Sequence, residues 1–308
     1  MRKFKLNIMK NFIVFFMLMG LGTNLIAQQM SSYQMFHLNN YLQSPASVGT
    51  KPYIFLSTAY SQSWSGFKGA PNMQSATGHS LVSERVGVGG KISYDNSGLS
   101  GQFGAEATYA YHIPLGKKGT RLSLGLSGLL SQFSLKKDQF ILADIDDEVI
   151  NNAENSIIVP DAAFGASLYR PDKFYINYGV YQLLNRSVSF LNGSELENKR
   201  VRHHIINASY QFLIGKSVKL EPSVLFKMTE FGFYQADAGI KSTFHDVLSL
   251  GVFYRTDEAV VTFIGIDTKY LVYGYSYGVI LSDVKKYTVG SHEIMLILKL
   301  NNAKSNLK

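Results

Sequence analysis

Thr120-Arg-Leu-Ser-Leu-Gly-Leu-Ser-Gly-Leu-Leu130 puts Leu122, Leu124 and Leu126 on one face of an extended strand and Arg121, Ser123, Gly125 and Ser127 on the other. The same two-residue period recurs on either side of it. Val86, Val88, Ile92 and Tyr94 alternate with Arg85, Lys91, Ser93 and Asp95. Phe103, Ala105, Ala107, Tyr109, Tyr111 and Ile113 alternate with Gln102, Glu106, Thr108 and His112. Farther on, Ile206 to Ile214 and Val218 to Met228 repeat the pattern against Asn207, Ser209, Gln211, Lys219, Glu221, Ser223 and Lys227, and Ile294 to Leu300 repeat it against Glu293 and Lys299. Charge keeps to one face of each run, and no amphipathic helix interrupts the series.

Runs centred near Tyr53, Ser75, Val88, Ala107, Leu124, Gly165, Tyr178, Ala208, Val224, Ala238, Val252, Ile264, Tyr275 and Ile297 give about fourteen strands. A transmembrane β-barrel is built from segments of about 10 residues, apolar toward lipid and polar toward the lumen, closed so that no backbone group is left unpaired in hydrocarbon. The 27 glycines, 19 tyrosines and 20 phenylalanines suit such a closed sheet with aromatic residues near both bilayer surfaces. The alternative is a secreted soluble β-sandwich, whose strands alternate in the same way. Strand length, the confinement of charge to one face and the number of strands in one chain all favour the membrane-embedded antiparallel barrel.

The N-terminus fits that setting. Arg2, Lys3, Lys5 and Lys10 precede the apolar run Phe12 to Ile26, which ends at Ala27-Gln28-Gln29 and reads as a cleaved secretory signal peptide over residues 1–27. Its removal lowers the formal charge from +8 to about +4, a mild balance with no clustered basic stripe of the kind nucleic acid requires. No partner among nucleic acids is expected. The barrel is placed at residues 28–300 and a short basic tail at 301–308, with integral outer-membrane localisation. The chain has no cysteine, which excludes disulfides, thiolate chemistry, Cys-ligated zinc and N-terminal lipidation at cysteine.

Motifs that could carry chemistry are weak. His203 and His204 are neighbours, so on a strand their rings face opposite ways. Ser291-His292-Glu293 holds the letters of a hydrolytic triad, but sequence neighbours on a strand cannot line up as nucleophile, base and orienter. No Gly-x-Ser-x-Gly elbow occurs. Gly87-x-Gly89-Gly90 leads into a strand and not a helix, which makes it a packing feature instead of a dinucleotide site. A connection from Lys136 to Pro160 carries Asp144, Asp146, Asp147, Glu148 and Glu154, yet lacks the glycine and glutamate of a calcium loop begun at Asp144. The expectation is a non-enzymatic protein without cofactor or metal. Trp64-Ser-Gly-Phe-Lys-Gly-Ala-Pro71 is different: glycine and proline shape a turn, and Trp64 with Phe67 gives it an apolar body. It reads equally as a hairpin connection anchored near the membrane surface and as a docking element.

These residues resemble the PorP/SprF family of outer-membrane proteins from Bacteroidota, associated with type IX secretion and gliding motility. The likeness begins at Tyr41-Leu-Gln-Ser-Pro-Ala46, where Ser44 replaces the family's asparagine, and is most distinctive in Gln62-x-Trp64-x-Gly66-Phe67-x-Gly69-Ala70-Pro71 with Gln74. It continues through Tyr109-x-Tyr111-His112, Pro160-Asp161, Gln235-x-Asp237, Leu250-Gly251-x-x-Tyr254-Arg255 and Gly290-Ser-His-Glu-Ile-Met295. The resemblance implies a barrel similar to the long-chain fatty-acid transporter class and a non-enzymatic role in protein secretion. It also implies binding to other type IX components and to an adhesin-type cargo that is exported or surface-anchored. By position it marks Trp64, Gly66, Phe67, Gly69, Ala70 and Pro71 as a partner-docking or shaping turn, and His292 with Glu293 as an inward pair on the closing strand. The alternative from the same barrel class is a porin or transporter for hydrophobic small molecules. A departure is the last strand, which ends at Leu300 and is followed by Asn-Asn-Ala-Lys-Ser-Asn-Leu-Lys in place of an aromatic end.

Overall fold

The alternation at Thr120 continues to Leu135, because every second residue can face lipid while its neighbours hydrogen-bond or pack inside. A computed structural model describes residues 32–136, 156–188 and 198–301. The leader assigned to residues 1–27, the acidic residues Asp144 to Glu154 and the tail beyond Asn301 lie outside the described residues.

The strands are β1 (Tyr53–Gln62), β2 (Asn72–Leu81), β3 (Val86–Ser97), β4 (Ser100–Leu115), β5 (Thr120–Leu135), β6 (Ser156–Arg170) and β7 (Phe174–Tyr181), followed by β8 (His203–Tyr210, resumed after Gln211 as Phe212–Ile214). Then come β9 (Val218–Thr229), β10 (Tyr234–Phe244), β11 (Leu248–Arg255), β12 (Ala259–Asp267), β13 (Leu271–Ile280) and β14 (Ser291–Asn301). Each pairs antiparallel with its neighbours in sequence, and β1 pairs with β14 from Tyr53↔Asn301 to Gln62↔His292. The result is a closed fourteen-strand antiparallel barrel, as the sequence pattern predicts. All fourteen run centres fall within strands. Among the described residues no helix is long and apolar enough to cross a membrane.

The connection placed at Lys136 to Pro160 is shorter than expected. Ile157, Ile158 and Val159 are strand-forming residues that extend the ladder, so β6 starts at Ser156 and carries Pro160 opposite Leu130. The tail boundary also moves by one, since Asn301 pairs with Tyr53.

The outer face carries exposed Leu56, Ile92, Tyr109, Leu126, Ile176 and Ile264, whereas the charges Lys91, Glu106, Lys227, Asp237, Arg255 and Glu293 lie on the inner face. Three inner carboxylates meet a cation on the adjacent strand: Glu106 with Lys91 (2.5 Å), Glu221 with Lys241 (2.8 Å) and Asp237 with Arg255 (2.8 Å). Each pair is directly opposite in the register, the arrangement in which cross-strand charges attract most. Leu126, 59% exposed near the middle of β5, is a direct test of which face meets lipid. Leu126→Arg is expected to cost about 2–4 kcal/mol of folding stability in lipid vesicles. Urea titration read by the heat-dependent gel shift of folded barrels measures it, and an unaltered midpoint would mean that this face is not in hydrocarbon.

The two barrel ends differ. Connections 82–85, 116–119, 171–173, 215–217, 245–247 and 268–270 at one end are all short. The other end carries 63–71, 136–155, 182–202 and 281–290, together with three short turns.

Candidate functional site

Before β1 the alternation is absent, and the chain from Ser32 to Thr50 runs through the barrel lumen. Two 3-10 turns shape it, at Asn40–Leu42 and Pro45–Ser47. The Asn39 side chain accepts from the Tyr41 N–H and the Ser44 hydroxyl accepts from the Ala46 N–H, while Pro45 supplies a fixed φ at the first turn position. Met35, Phe36, Ala46 and Val48 have no exposed surface.

The wall grips this segment from many sides. The backbone N–H groups of Gln34 and Met35 donate to the Glu293 carboxylate at 2.7 and 3.0 Å, and the Ser276 hydroxyl donates to Gln34 Oε1 at 2.8 Å. Asn39 Nδ2 donates to Thr77 Oγ1 (2.9 Å), Asn207 Nδ2 to Asn40 Oδ1 (3.0 Å), and the Ser44 hydroxyl to the Tyr178 carbonyl (2.8 Å). Tyr41 and Thr108 share a hydroxyl bond of 2.6 Å. At the short-turn end the Gly49 N–H donates to His79 Nδ1. His112 Nε2 lies 3.0 Å from the Val48 carbonyl, which can only accept, so this nitrogen carries the proton and Nδ1 accepts from the Tyr169 hydroxyl. Arg255, already held by Asp237, also donates to the Ser32 hydroxyl and the Tyr33 carbonyl.

Close approach of backbone to wall needs missing side chains. A Cβ at Gly125 would sit 2.5 Å from the backbone of Pro45 and Ala46, and one at Gly87 would sit 2.5 Å from the Val48 carbonyl. Gly87 in the Gly-x-Gly-Gly motif therefore serves close packing, as its sequence setting suggests. Hydrogen bonds contribute only about 1 kcal/mol net apiece, and ordering the segment costs about 1–2 kcal/mol per residue, so polar contacts alone do not hold it. Apolar burial supplies the difference. Met35, Phe36 and Leu42 join Phe55, Phe253, Phe263, Ile205, Leu225 and Met295 in one core, with the His37 ring stacked 4.6 Å from Phe253.

The second feature is the turn at the long-loop end. Trp64, Gly66 and Gly69 have φ of 50°, 91° and 77°, the left-handed values that let the chain double back between Ser63 and Pro71. The turn is zipped to the connection before β14. The Ser65 N–H donates to the Gly290 carbonyl (2.7 Å), the Val289 N–H and the Thr288 hydroxyl both donate to the Ser65 carbonyl (2.9 Å), and the Trp64 N–H donates to Ser291 Oγ (3.1 Å). The Gly98 N–H donates to the Gly69 carbonyl (3.0 Å) and ties in a third connection. Trp64 leans on the lumen core, Ala70 is buried, and Phe67 is exposed. Pro71 closes the turn by accepting from the Ser63 N–H.

His292 and Glu293 do not form an inward pair. Strand neighbours face opposite ways, and only Glu293 enters the lumen; His292 lies outside, bonded to the Tyr275 hydroxyl at 2.8 Å and packed on Tyr277. The same rule separates buried His203 from His204, which bonds the Tyr178 hydroxyl on the outer face. Among the described residues no group of three or more His, Asp or Glu side chains is placed to hold a metal ion. The lumen segment was missed at the sequence level, although inward-facing Gly125, Gly165 and Gly179 are its trace: each leaves room where a polar side chain would be expected.

A family model described as "Type IX secretion system membrane protein PorP/SprF" matches residues 25–298. No curated protein matches this chain. Among solved structures, a Pseudomonas aeruginosa FadL homologue is similar at 9% identity and a TM-score of 0.49, covering 84% of this chain and 92% of that one. The Pseudomonas putida toluene transporter TodX is similar at 7% identity and a TM-score of 0.48, covering 89% and 95%. The Acinetobacter baumannii outer membrane protein Omp33 is similar at 9% identity and a TM-score of 0.45, covering 81% and 98%.

Proposed function

The chain belongs to the PorP/SprF family of type IX secretion system membrane proteins, and from that premise we propose that it works in the outer membrane by binding other proteins at its rims, not by passing solutes through its lumen. It is a component of type IX secretion, with a barrel of outer-membrane type. The observation that carries the proposal is the seating of residues 32–50 inside the barrel, clamped by Glu293, Thr77, Asn207 and Ser276 and fitted against Gly87 and Gly125. With its own chain in the lumen, the surfaces left for work are the connections. Outer-membrane barrels place their longer loops outside the cell, which assigns the Trp64 turn to the exterior. There the turn docks a secreted or surface-anchored cargo of adhesin type, and loss of that contact impairs surface display and gliding.

Deleting the gene is expected to abolish export or surface retention of a cargo bearing a type IX C-terminal signal, with recovery on return of the wild-type gene. Unchanged secretion, attachment and gliding in the deletion strain would remove the proposal. A transporter for hydrophobic small molecules would need the lumen segment to leave or a path around it, and solute uptake by the intact barrel in liposomes separates that reading.

A further inference from the structure

The turn at Trp64 does not stand alone at the long-loop end. Its backbone bonds to residues 288–291 and to Gly98 join three connections into one braced platform. Val289 borders the space beside Gly66, 4.0 Å from where a Cβ would sit, so the two loops run side by side there. Bracing of this kind removes much of the ordering cost that a flexible loop meets on binding.

What the platform presents is unusual for an exposed loop. Phe67, Tyr287 and Val289 are 51%, 70% and 68% exposed. They lie on the connections that follow β1, which ends at Gln62, and β13, which ends at Ile280. Lys68, Lys285 and Lys286 are exposed on the same two loops, and none of them forms an ion pair among the described residues. Asp283 is the one acid on these two loops. A cationic rim around exposed aromatic and β-branched side chains is complementary to a surface of opposite charge that carries apolar side chains of its own.

We infer that the joined loops 63–71 and 281–290 form one docking platform for an acidic protein segment bearing apolar side chains. The inference rests on the partner-binding reading above and adds to it the second loop and the chemistry of the partner. The three lysines steer and orient the segment, and Phe67, Tyr287 and Val289 supply the contact that survives salt. Lipopolysaccharide offers phosphates to the same lysines and is the competing occupant that the experiment separates.

The full-length barrel in detergent is titrated with a fluorescein-labelled peptide of alternating Asp and Phe, read by anisotropy. Saturable binding is expected. The combined Lys68→Gln, Lys285→Gln, Lys286→Gln variant and the combined Phe67→Ser, Tyr287→Ser variant should each weaken it by about tenfold or more, with the folded gel mobility unchanged. Equal binding by wild type and both variants overturns the inference, as does loss in the lysine variant alone, which would mark simple charge attraction. Binding of lipopolysaccharide micelles that depends on the same residues, with no binding of the peptide, also overturns it. In the deletion strain, full restoration of cargo export by the lysine variant sinks the platform while leaving the secretion role intact. If the deletion itself changes nothing, the secretion role fails.

Discussion

Deleting residues 33–50 is expected to turn an electrically silent barrel into a conducting one. A fourteen-strand ring encloses more space than its own inward side chains fill, and here the excess is taken up by the segment that holds Phe36, Tyr41 and Val48 out of solvent. Single-channel recording in planar bilayers measures the change, with heat-dependent gel mobility confirming that the ring still closes. A gentler variant serves if the deletion does not assemble. Gly125→Leu puts a side chain where the Pro45 and Ala46 backbone lies, 2.5 Å from the glycine's Cβ position, and should unseat the turn without shortening the chain. Steady silence from both folded variants would mean that the loops, and not this segment, close the barrel.

The ring was legible in the sequence because lipid imposes a strict rule on its outer wall. Leu122, Leu124 and Leu126 could be read directly, and so could Phe103, Tyr109 and Tyr111, since all of them point out from the wall. The inner wall obeys a looser rule. Where it meets the Tyr41 hydroxyl it carries Thr108, bonded in turn to Ser127; where it packs on Met35 and Phe36 it carries Phe253, Phe263 and Met295, and the alternation blurs into apolar runs such as Val252-Phe253-Tyr254. A sequence window of period two has no way to tell those inward phenylalanines from outward ones. The lumen segment escaped for a related reason: its residues are held by contacts far away in sequence, as Gln34 is to Glu293, and its two short turns have no periodicity of their own. The Trp64 turn was recognisable as a shaped element from its glycines and proline. That it is locked to residues 288–291 depends on the closure of β1 onto β14, which is the longest-range pairing in the ring.

Glu293 is the residue on which that longest-range pairing and the lumen segment meet. Its carboxyl group accepts from two adjacent buried backbone N–H groups, and leaving a buried donor without a partner costs about 1–3 kcal/mol. Glu293→Ala removes both at once and leaves two buried donors without a partner, so the upper part of the segment should detach. Glu293→Gln keeps one carbonyl acceptor and should have a smaller effect. Because the chain has no cysteine, Met35→Cys introduces a unique thiol at a position with no exposed surface. In that background a water-soluble maleimide should react slowly with the parent and about a hundredfold faster once Glu293→Ala is added, given that each 1.4 kcal/mol is a factor of ten. An order Ala > Gln > Glu in labelling rate assigns the clamp to the two acceptor oxygens of Glu293 and not to packing. If Ala and Glu label alike, the segment is held by its apolar contacts alone, and the carboxylate is retained in the lumen for some other reason.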